Sequence, residues 1–236
     1  MTRPAQLTLR FAPPTHGGAR EGAGRKPSPH ARREHVRRPS LARSYPVHVN
    51  WKLLPHVGDL RVESKLRVLE TCFHRGRDRF GFRLVHYSVQ NRHIHLIVEA
   101  EDARALGRGI KGLGVRIARA LNKLAGTHGS VLAERYHMVI LRYPKQVRNA
   151  LCYVLNNGAS HMARRGLRVV GFRMDAASSG TFFDGWKEGT APCWRRPAVE
   201  TVVPPRTELL RTLWKRHGPI AVGEVAQRYL AIKQRR

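Results

Sequence analysis

Short stretches of the chain alternate apolar and polar residues, which is the pattern of β-strands with one buried face. Residues 47–52 show it, with valine or tryptophan at every second position. The stretch 82–100, FRLVHYSVQNRHIHLIVEA, is rich in β-branched and aromatic residues on both sides of positions 90–92. We interpret it as two strands joined by a short turn. Residues 131–142 predict one further strand, which brings the expected number to four.

Other stretches space their apolar residues three and four positions apart, as amphipathic helices do. Residues 62–74 and 106–124 have this spacing, and a third helix from about 145 to 161 opens at Pro144, a residue suited to a first helical turn. The order over 45–161 is therefore β-α-β-β-α-β followed by a helix. It predicts an α+β, ferredoxin-like βαββαβ fold, an antiparallel four-stranded sheet with two helices on one face and the last helix free to cover the other.

The two ends of the chain have a different texture. Residues 1–43 are rich in Arg, Gly and Pro and hold ten Arg or Lys against two Glu, so they bury too little apolar surface to order themselves. We expect three parts: a flexible, disordered basic arm over 1–43, a folded domain over 44–165, and a short, partly ordered C-terminal extension over 166–236.

Charge indicates the partner. The chain has 44 Lys and Arg against 16 Asp and Glu, a formal net charge of +28. Self-repulsion of this size destabilises a compact state, so a polyanionic partner is expected, with DNA or RNA ahead of a membrane surface. Within the arm, residues 22–27, GAGRKP, resemble a degenerate AT-hook that lies in a narrow minor groove. Plain electrostatic tethering is the alternative.

Several classes of protein are disfavoured. Three widely spaced cysteines form neither a disulfide framework nor a CxxC zinc module. No apolar run approaches the roughly 18 residues of a membrane span, and the N-terminal residues have no signal-peptide pattern. The few carboxylates do not cluster as a two-metal nuclease requires. We therefore expect a soluble protein of a reducing compartment.

Two histidines mark the first candidate site. His93 and His95 are two positions apart in a predicted strand, so both imidazoles leave the same face of the sheet. Two imidazoles on one face make half of a site for a divalent metal. The alternative is two ordinary surface histidines in a chain that has thirteen.

A tyrosine marks the second. Asn149, Tyr153 and Asn157 follow one another at intervals of four in the last predicted helix and so share a face, which we take to be its polar side. A tyrosine one turn before a carboxamide offers a phenolic nucleophile beside a metal ligand. The alternative is an amphipathic helix whose tyrosine packs at a domain edge.

Together these two segments resemble a known family. FRLVHYSVQNRHIHLIVEA followed by VRNALCYVLNNGASH is similar to the single-tyrosine HUH nucleases, and within them to the REP-associated tyrosine transposases. His93-Ile94-His95 stands as the HUH motif, and Tyr153 stands in the position of the nucleophile. The arm sequence GGAREGAGRKP and the tail sequences FFDGW and LLRTLWKRHG also look like that subgroup.

The resemblance implies a function. It implies a metal-dependent single-stranded DNA endonuclease and strand transferase that acts on hairpin, REP-like DNA through a covalent 5′-phosphotyrosine. Tyr153 would be the catalytic nucleophile, and His93, His95 and Asn157 would hold a divalent metal, Mg²⁺ or Mn²⁺. The implied partner is single-stranded or hairpin DNA and not a membrane, with the protein a monomer or homodimer in the bacterial cytoplasm, associated with the nucleoid.

Basic side chains are the candidates for DNA contacts. They are Arg25, Lys26, Lys111, Arg116, Arg119, Lys123, Arg142 and Lys145. For each of them a solvated surface position is the alternative, and for the whole protein the alternative is a non-catalytic nucleic-acid-binding protein on the same fold. Rolling-circle initiators and relaxases share the chemistry but usually place the tyrosine before the HUH motif or carry a helicase domain, and this chain has no P-loop.

Overall fold

The computed structural model describes residues 40–168, 171, 173–187 and 195–226. These residues belong to the unit Pro39–Arg236. Most of the predicted basic arm, with Arg25 and Lys26, lies outside the described residues.

Five strands and five α-helices make up the fold of this part of the chain. The strands are β1 (Val47–Lys52), β2 (Asp78–Arg79), β3 (Phe82–Val89), β4 (His93–Ala100) and β5 (His137–Ile140). The helices are α1 (Glu63–Gly76), α2 (Ala103–Ala125), α3 (Pro144–Leu155), α4 (Asn157–Arg164) and α5 (Glu208–Arg211). Short 3-10 helices lie at Pro55–Val57, Ser179–Phe182 and Leu213–His217.

The strands form one antiparallel sheet in the order β2-β3-β4-β1-β5. The crossover from β1 through α1 to β3 skips a place that β4 fills, and the crossover from β4 through α2 to β5 skips the place of β1. This split βαβ arrangement confirms the predicted α+β, ferredoxin-like fold. The expected count of four strands is wrong by one, because the two residues of β2 are polar and exposed and show no alternation.

Helices α1 and α2 cover one face of the sheet. The paired residues Val49 of β1 and Leu96 of β4 point to this side, where Phe73 of α1 packs in the same buried cluster. Gly109 lets α2 lie close to the sheet, since a Cβ there would overlap the side chain of Phe82 on β3. The apolar stripes of the two predicted helices therefore form this core.

Helix α3 covers the other face, and the tail packs on α3 in turn. Val85 and Ile97 of the sheet share a buried cluster with Leu151 of α3 and with Trp186 and Trp214 of the tail. Helix α3 therefore lies between the sheet and the tail. The tail covers the side of α3 that the sheet leaves open.

The last predicted helix is broken at Asn156. The structure has two helices, α3 and α4, where the sequence predicts one from 145 to 161. The Asn156 amide donates to the carbonyl of Ala221 at 2.9 Å and accepts from the N–H of Gly223 at 3.0 Å. These bonds tie the break to the tail, and this is why the helical spacing does not reveal it.

Within the described residues, no helix combines the length and the apolar character needed to cross a lipid bilayer.

Candidate active site

The face of the sheet under α3 is polar at its centre. His48, Asn50 and Lys52 leave β1 on this side, and His93 and His95 leave β4 beside them, because Asn50 pairs with His95 and Lys52 with His93. The structure thus places both histidines of the HxH sequence on one face. Their strand starts where the sequence predicts, after a turn closed by a 2.8 Å hydrogen bond from the N–H of Gln90 to the carbonyl of His93.

Tyr153 of α3 packs against this polar face. Its ring meets the ring of His95 edge-on, with centroids 5.3 Å apart, and the ring of His48 edge-on at 6.0 Å. Tyr153 is 6% exposed. The structure therefore brings together the predicted nucleophile and one predicted ligand, and sets a third ring beside both.

His48 is the neighbour that the sequence interpretation missed. It is buried, its Nε2 lies 3.3 Å from Nδ1 of His95, and the two rings stack with centroids 5.4 Å apart. Burial lowers the pKa of His48 to about 4, so the ring is neutral at pH 7. The signal was present in the sequence: His48 alternates with Val47 and Val49, which places it on the face opposite the apolar core.

His93 lies at the open side of the site. It is partly exposed, and the cations Lys52 and Arg92 stand near it, together with His161 of α4. Burial lowers the pKa of His93, and the positive charges around it lower it further. An anion that approaches the site from this side meets a positive rim.

Asn157 is fully buried at the start of α4, and neither its Oδ1 nor its Nδ2 has a hydrogen-bond partner. Seven buried side-chain atoms of the described residues lack such a partner, and four of them belong to Asn50, Asn157 and Ser160. An unpaired buried polar group costs roughly 1–3 kcal/mol. The polar groups that α4 and β1 bury at this cost mark the region as built for something other than stability.

The predicted metal ligands fit a divalent cation by their donor chemistry. Two imidazoles leave one face of β4, and the orphaned carboxamide of Asn157 offers an oxygen four residues after Tyr153. The described residues contain no group of three or more His, Cys, Asp or Glu arranged to hold a metal. The asparagine oxygen is therefore the protein group that would join the two imidazoles in such a ligand set.

The tail fixes the outer side of α3. Arg148 forms a two-pronged ion pair with Glu224, at 2.6 and 3.0 Å, and donates to the carbonyls of Gly218 and Pro219. The thiol of Cys152, next to Tyr153, donates to the carbonyl of Glu224 at 3.4 Å. These contacts settle how α3 lies on the sheet, and with it the position of Tyr153.

Three of the predicted DNA contacts line one groove. Arg116, Arg119 and Lys123 of α2 face Arg75 of α1 across a groove of about 690 Å³, which has an apolar floor. No acidic residue lines it. Arg75 was missed by the sequence interpretation, because four cations meet here only when two helices pack side by side. The groove lies in the helix layer opposite the Tyr153 face.

The other predicted DNA contacts lie elsewhere. Lys111 is exposed on α2 but does not line the groove. Arg142 stacks over the ring of Tyr45 at 5.3 Å, and Lys145 is exposed in the first turn of α3. Lys145 precedes Tyr153 by eight residues, about 12 Å along the helix.

The chain is similar to known proteins among the solved structures. A scan against protein-family models finds no match, and a search of the curated proteins finds none. Among solved structures, the chain is similar to a REP-associated tyrosine transposase bound to a REP hairpin, with a TM-score of 0.44, 13% identity, and coverage of 57% of this chain and 76% of that one. It is also similar to a protein assigned as a transposase from Deinococcus radiodurans R1, with a TM-score of 0.34, 16% identity, and coverage of 46% and 84%. Both likenesses have low identity and extend over part of the chain, so neither assigns it to a family.

Proposed function

We propose that this protein is a metal-dependent single-stranded DNA endonuclease and strand transferase that acts on hairpin DNA through a covalent 5′-phosphotyrosine at Tyr153. The observation that carries the proposal is the packing of Tyr153 against His95, with ring centroids 5.3 Å apart, on a sheet face that is polar at its centre. A phenol and two imidazoles on facing elements supply a nucleophile and metal ligands in one place.

The metal ligands of the proposal are His93, His95 and Asn157. A divalent cation held there, Mg²⁺ or Mn²⁺, would offset the negative charge of the scissile phosphate. Mg²⁺ prefers oxygen ligands, so a site with two imidazoles favours Mn²⁺. Supporting this ligand set is the buried amide of Asn157, which has no hydrogen-bond partner among the residues that the structure describes.

The covalent step needs no external energy source, because one phosphorus–oxygen bond forms as another breaks. The phenolic oxygen of Tyr153 forms a bond to phosphorus while the bond from phosphorus to the 3′ oxygen breaks. The phenol proton goes, in net balance, to the leaving oxygen, which leaves a 3′-OH and a 5′ phosphate on Tyr153. A phenol, with its ordinary pKa of about 10, is also a good leaving group. The 3′-OH of the same strand or of another can therefore reverse the step, which is strand transfer.

Phosphates approach the site past His93 in this proposal. The positive charges of Lys52 and Arg92 act on His93 from that side, together with His161. Arg142 and Lys145 are proposed to contact DNA near the start of α3, and Arg116, Arg119 and Lys123 to contact stem phosphates in the groove. The predicted arm contacts at Arg25 and Lys26 are proposed as additional tethers.

The test is trapping of the covalent intermediate. Labelled hairpin oligonucleotides with a single-stranded flank, taken from palindromic repeats beside the gene, are incubated with protein and Mn²⁺ and separated on a denaturing gel. We expect a protein–DNA band that is lost with EDTA and lost in Tyr153→Phe, because phenylalanine has no oxygen to attack phosphorus. Hairpin binding by Tyr153→Phe remains largely intact.

A matched control exists in the same helix region. Tyr143, immediately before α3, is 67% exposed, and Tyr143→Phe removes the same atom from a tyrosine outside the site. This variant keeps the covalent band. Cleavage that survives in Tyr153→Phe contradicts the proposal.

The second candidate function is a non-catalytic nucleic-acid-binding protein. The groove favours it, because the four cations Arg75, Arg116, Arg119 and Lys123 lie in the layer opposite Tyr153 and need no chemistry to bind phosphate. Binding of several hairpins with no covalent band in either metal selects this function over the first.

A further inference from the structure

A buried histidine lies behind His95, and the proposed chemistry gives it no role so far. His48 sits on β1, which is hydrogen-bonded on both sides, to β4 and to β5. Its side chain is 3% exposed and stacks on the ring of His95 at an interplanar angle of 22°. An aliphatic residue in this place would not incur the desolvation of an imidazole, so the choice of histidine calls for a cause.

We propose that His48 is a positioning residue: its Nε2 accepts a hydrogen bond from Nδ1–H of His95 and so sets the tautomer in which Nε2 of His95 carries the lone pair for a metal. The inference rests on the proposed function and adds a residue to it. The geometry behind it is the 3.3 Å distance between these two nitrogens.

The two nitrogens of a neutral imidazole have different roles. In the neutral ring one nitrogen carries a proton and the other carries a lone pair, and only the latter binds a metal. The partner of the first nitrogen therefore decides which nitrogen binds. Metal-bound histidines usually donate to a carboxylate, carbonyl or water for this purpose. Here the group within reach of Nδ1 is a second imidazole.

His48 packs against both of the other rings of the site. The rings of His48, His95 and Tyr153 form a cluster of three in which each contacts the other two, with centroids 5.3 to 6.0 Å apart. Its backbone pairs with Ile97 on one side and Val139 on the other. A buried ring on a central strand, in contact with both His95 and Tyr153, is well placed to orient His95.

The opposite hydrogen bond gives the opposite outcome. If Nε2–H of His48 donates to Nδ1 of His95, then the proton of His95 is on its Nε2, and that nitrogen has no lone pair for a metal. The two arrangements have the same distance between nitrogens and differ in the position of protons. Proton positions are therefore the quantity to measure.

The first experiment measures the tautomer in the metal-free protein. Two-bond ¹H–¹⁵N correlation spectra of ¹⁵N-histidine-labelled full chain distinguish Nδ1–H from Nε2–H, and a His95→Gln spectrum assigns the signals. We expect His95 to be the Nδ1–H tautomer in the wild type and to lose this preference in His48→Leu. A wild-type His95 with its proton on Nε2, or a tautomer unchanged in His48→Leu, overturns the inference.

The second experiment measures Mn²⁺ affinity by electron paramagnetic resonance of the free ion. We expect His48→Leu to bind Mn²⁺ about 10–100-fold more weakly, the usual effect of losing a partner of a metal-bound histidine. His48→Gln places an acceptor oxygen near the position of Nε2 and restores affinity to within about threefold of the wild type. His86→Gln is the control, since His86 is equally buried on the same face but contacts Ser179 and Phe183.

The variants separate the two proposals. Wild type that binds no Mn²⁺ overturns both the metal site and the role of His48. Wild type that binds Mn²⁺ with an affinity unchanged in His48→Leu overturns the role of His48 alone. If His48→Leu does not fold, His48→Asn replaces it: its amide is too short to reach Nδ1 of His95, so it must bind more weakly than His48→Gln.

Discussion

Asn156 and Asn157 are neighbours with opposite environments. The side chain of Asn156 makes two hydrogen bonds to the tail, to Ala221 and Gly223, whereas the side chain of Asn157 makes none within the described part of the chain. Both are fully buried. The first asparagine therefore stabilises the fold, and the second is kept at a cost, as residues of functional sites often are.

This contrast predicts opposite effects on stability. Asn156→Ala removes two hydrogen bonds and leaves the backbone groups of Ala221 and Gly223 without these partners. We therefore expect it to lower the free energy of unfolding by about 2–3 kcal/mol. Asn157→Ala removes an unsatisfied amide, and we expect a change within about 1 kcal/mol of zero, or a gain. Urea unfolding of the two variants measures both, and an Asn157→Ala loss as large as that of Asn156→Ala contradicts the assignment.

At the scale of elements, the seating of α2 on the sheet depends on one glycine. A Cβ on Gly109 would lie 2.1 Å from Cγ of Phe82 and 2.4 Å from its Cβ, so helix and strand would have to separate. Gly107, two positions earlier in the same helix, has nothing within 4 Å of its Cβ position. The two glycines share a helix and differ in what they face.

The pair gives a prediction with its own control. Gly109→Ala overpacks the contact with Phe82, and we expect it to lower the midpoint of thermal unfolding, at a cost of about 2 kcal/mol or more. Gly107→Ala gains helix propensity without a clash, and we expect a gain of about 0.5–1 kcal/mol. If both variants behave alike in thermal unfolding, the close approach at Gly109 does not determine how α2 packs on the sheet.

Local patterns predicted the elements whose partners are close in sequence. The turn at 90–92 and the apolar stripe of α2 were found because turn residues and helical spacing are local signals. The break at Asn156 was not found, since its cause is a pair of hydrogen bonds to residues more than sixty positions away. The packing of Trp214 on α3 is likewise a contact between residues far apart in the chain, which helical spacing alone does not show.

The residues of the candidate site also divide into those that local sequence patterns predict and those that depend on contacts between distant segments. The spacing of His93 and His95 placed them on one face, and the contact of Tyr153 with His95 follows from the order of elements. The place of His48 was visible in the alternation of β1, but its pairing with His95 depends on strand register, which the sequence does not state. Arg75 lines the groove because α1 packs beside α2, a contact that the sequence pattern does not show.

At the scale of the whole molecule, the basic groove and the Tyr153 face lie on opposite sides of one sheet. DNA that uses both must pass an edge of the sheet, so the two surfaces contribute separately to binding. The salt dependence of affinity counts phosphate contacts, because each contact releases counterions. The groove can therefore be tested without any reference to cleavage.

We expect Arg119→Gln with Lys123→Gln to reduce the slope of log affinity against log salt by about 2, close to one per lost contact. The control double variant is Arg104→Gln with Arg108→Gln, which removes the same charge from exposed positions of α2 outside the groove. Fluorescence anisotropy with a labelled hairpin at several salt concentrations measures the slopes. Equal slopes in the two double variants contradict a role for the groove.

The residues that cover the outer side of α3 are synthesised late. Leu209, Trp214 and Glu224 follow Tyr153 by more than fifty positions and pack on or bond to the outer side of its helix. During synthesis the chain emerges from the ribosome in order, N-terminal parts first. The histidines and the tyrosine therefore emerge from the ribosome before the segment that packs on the outer side of α3. A nascent chain that has just released Tyr153 holds every candidate catalytic group and still lacks the finished site, which it acquires only when the residues up to Glu224 have followed.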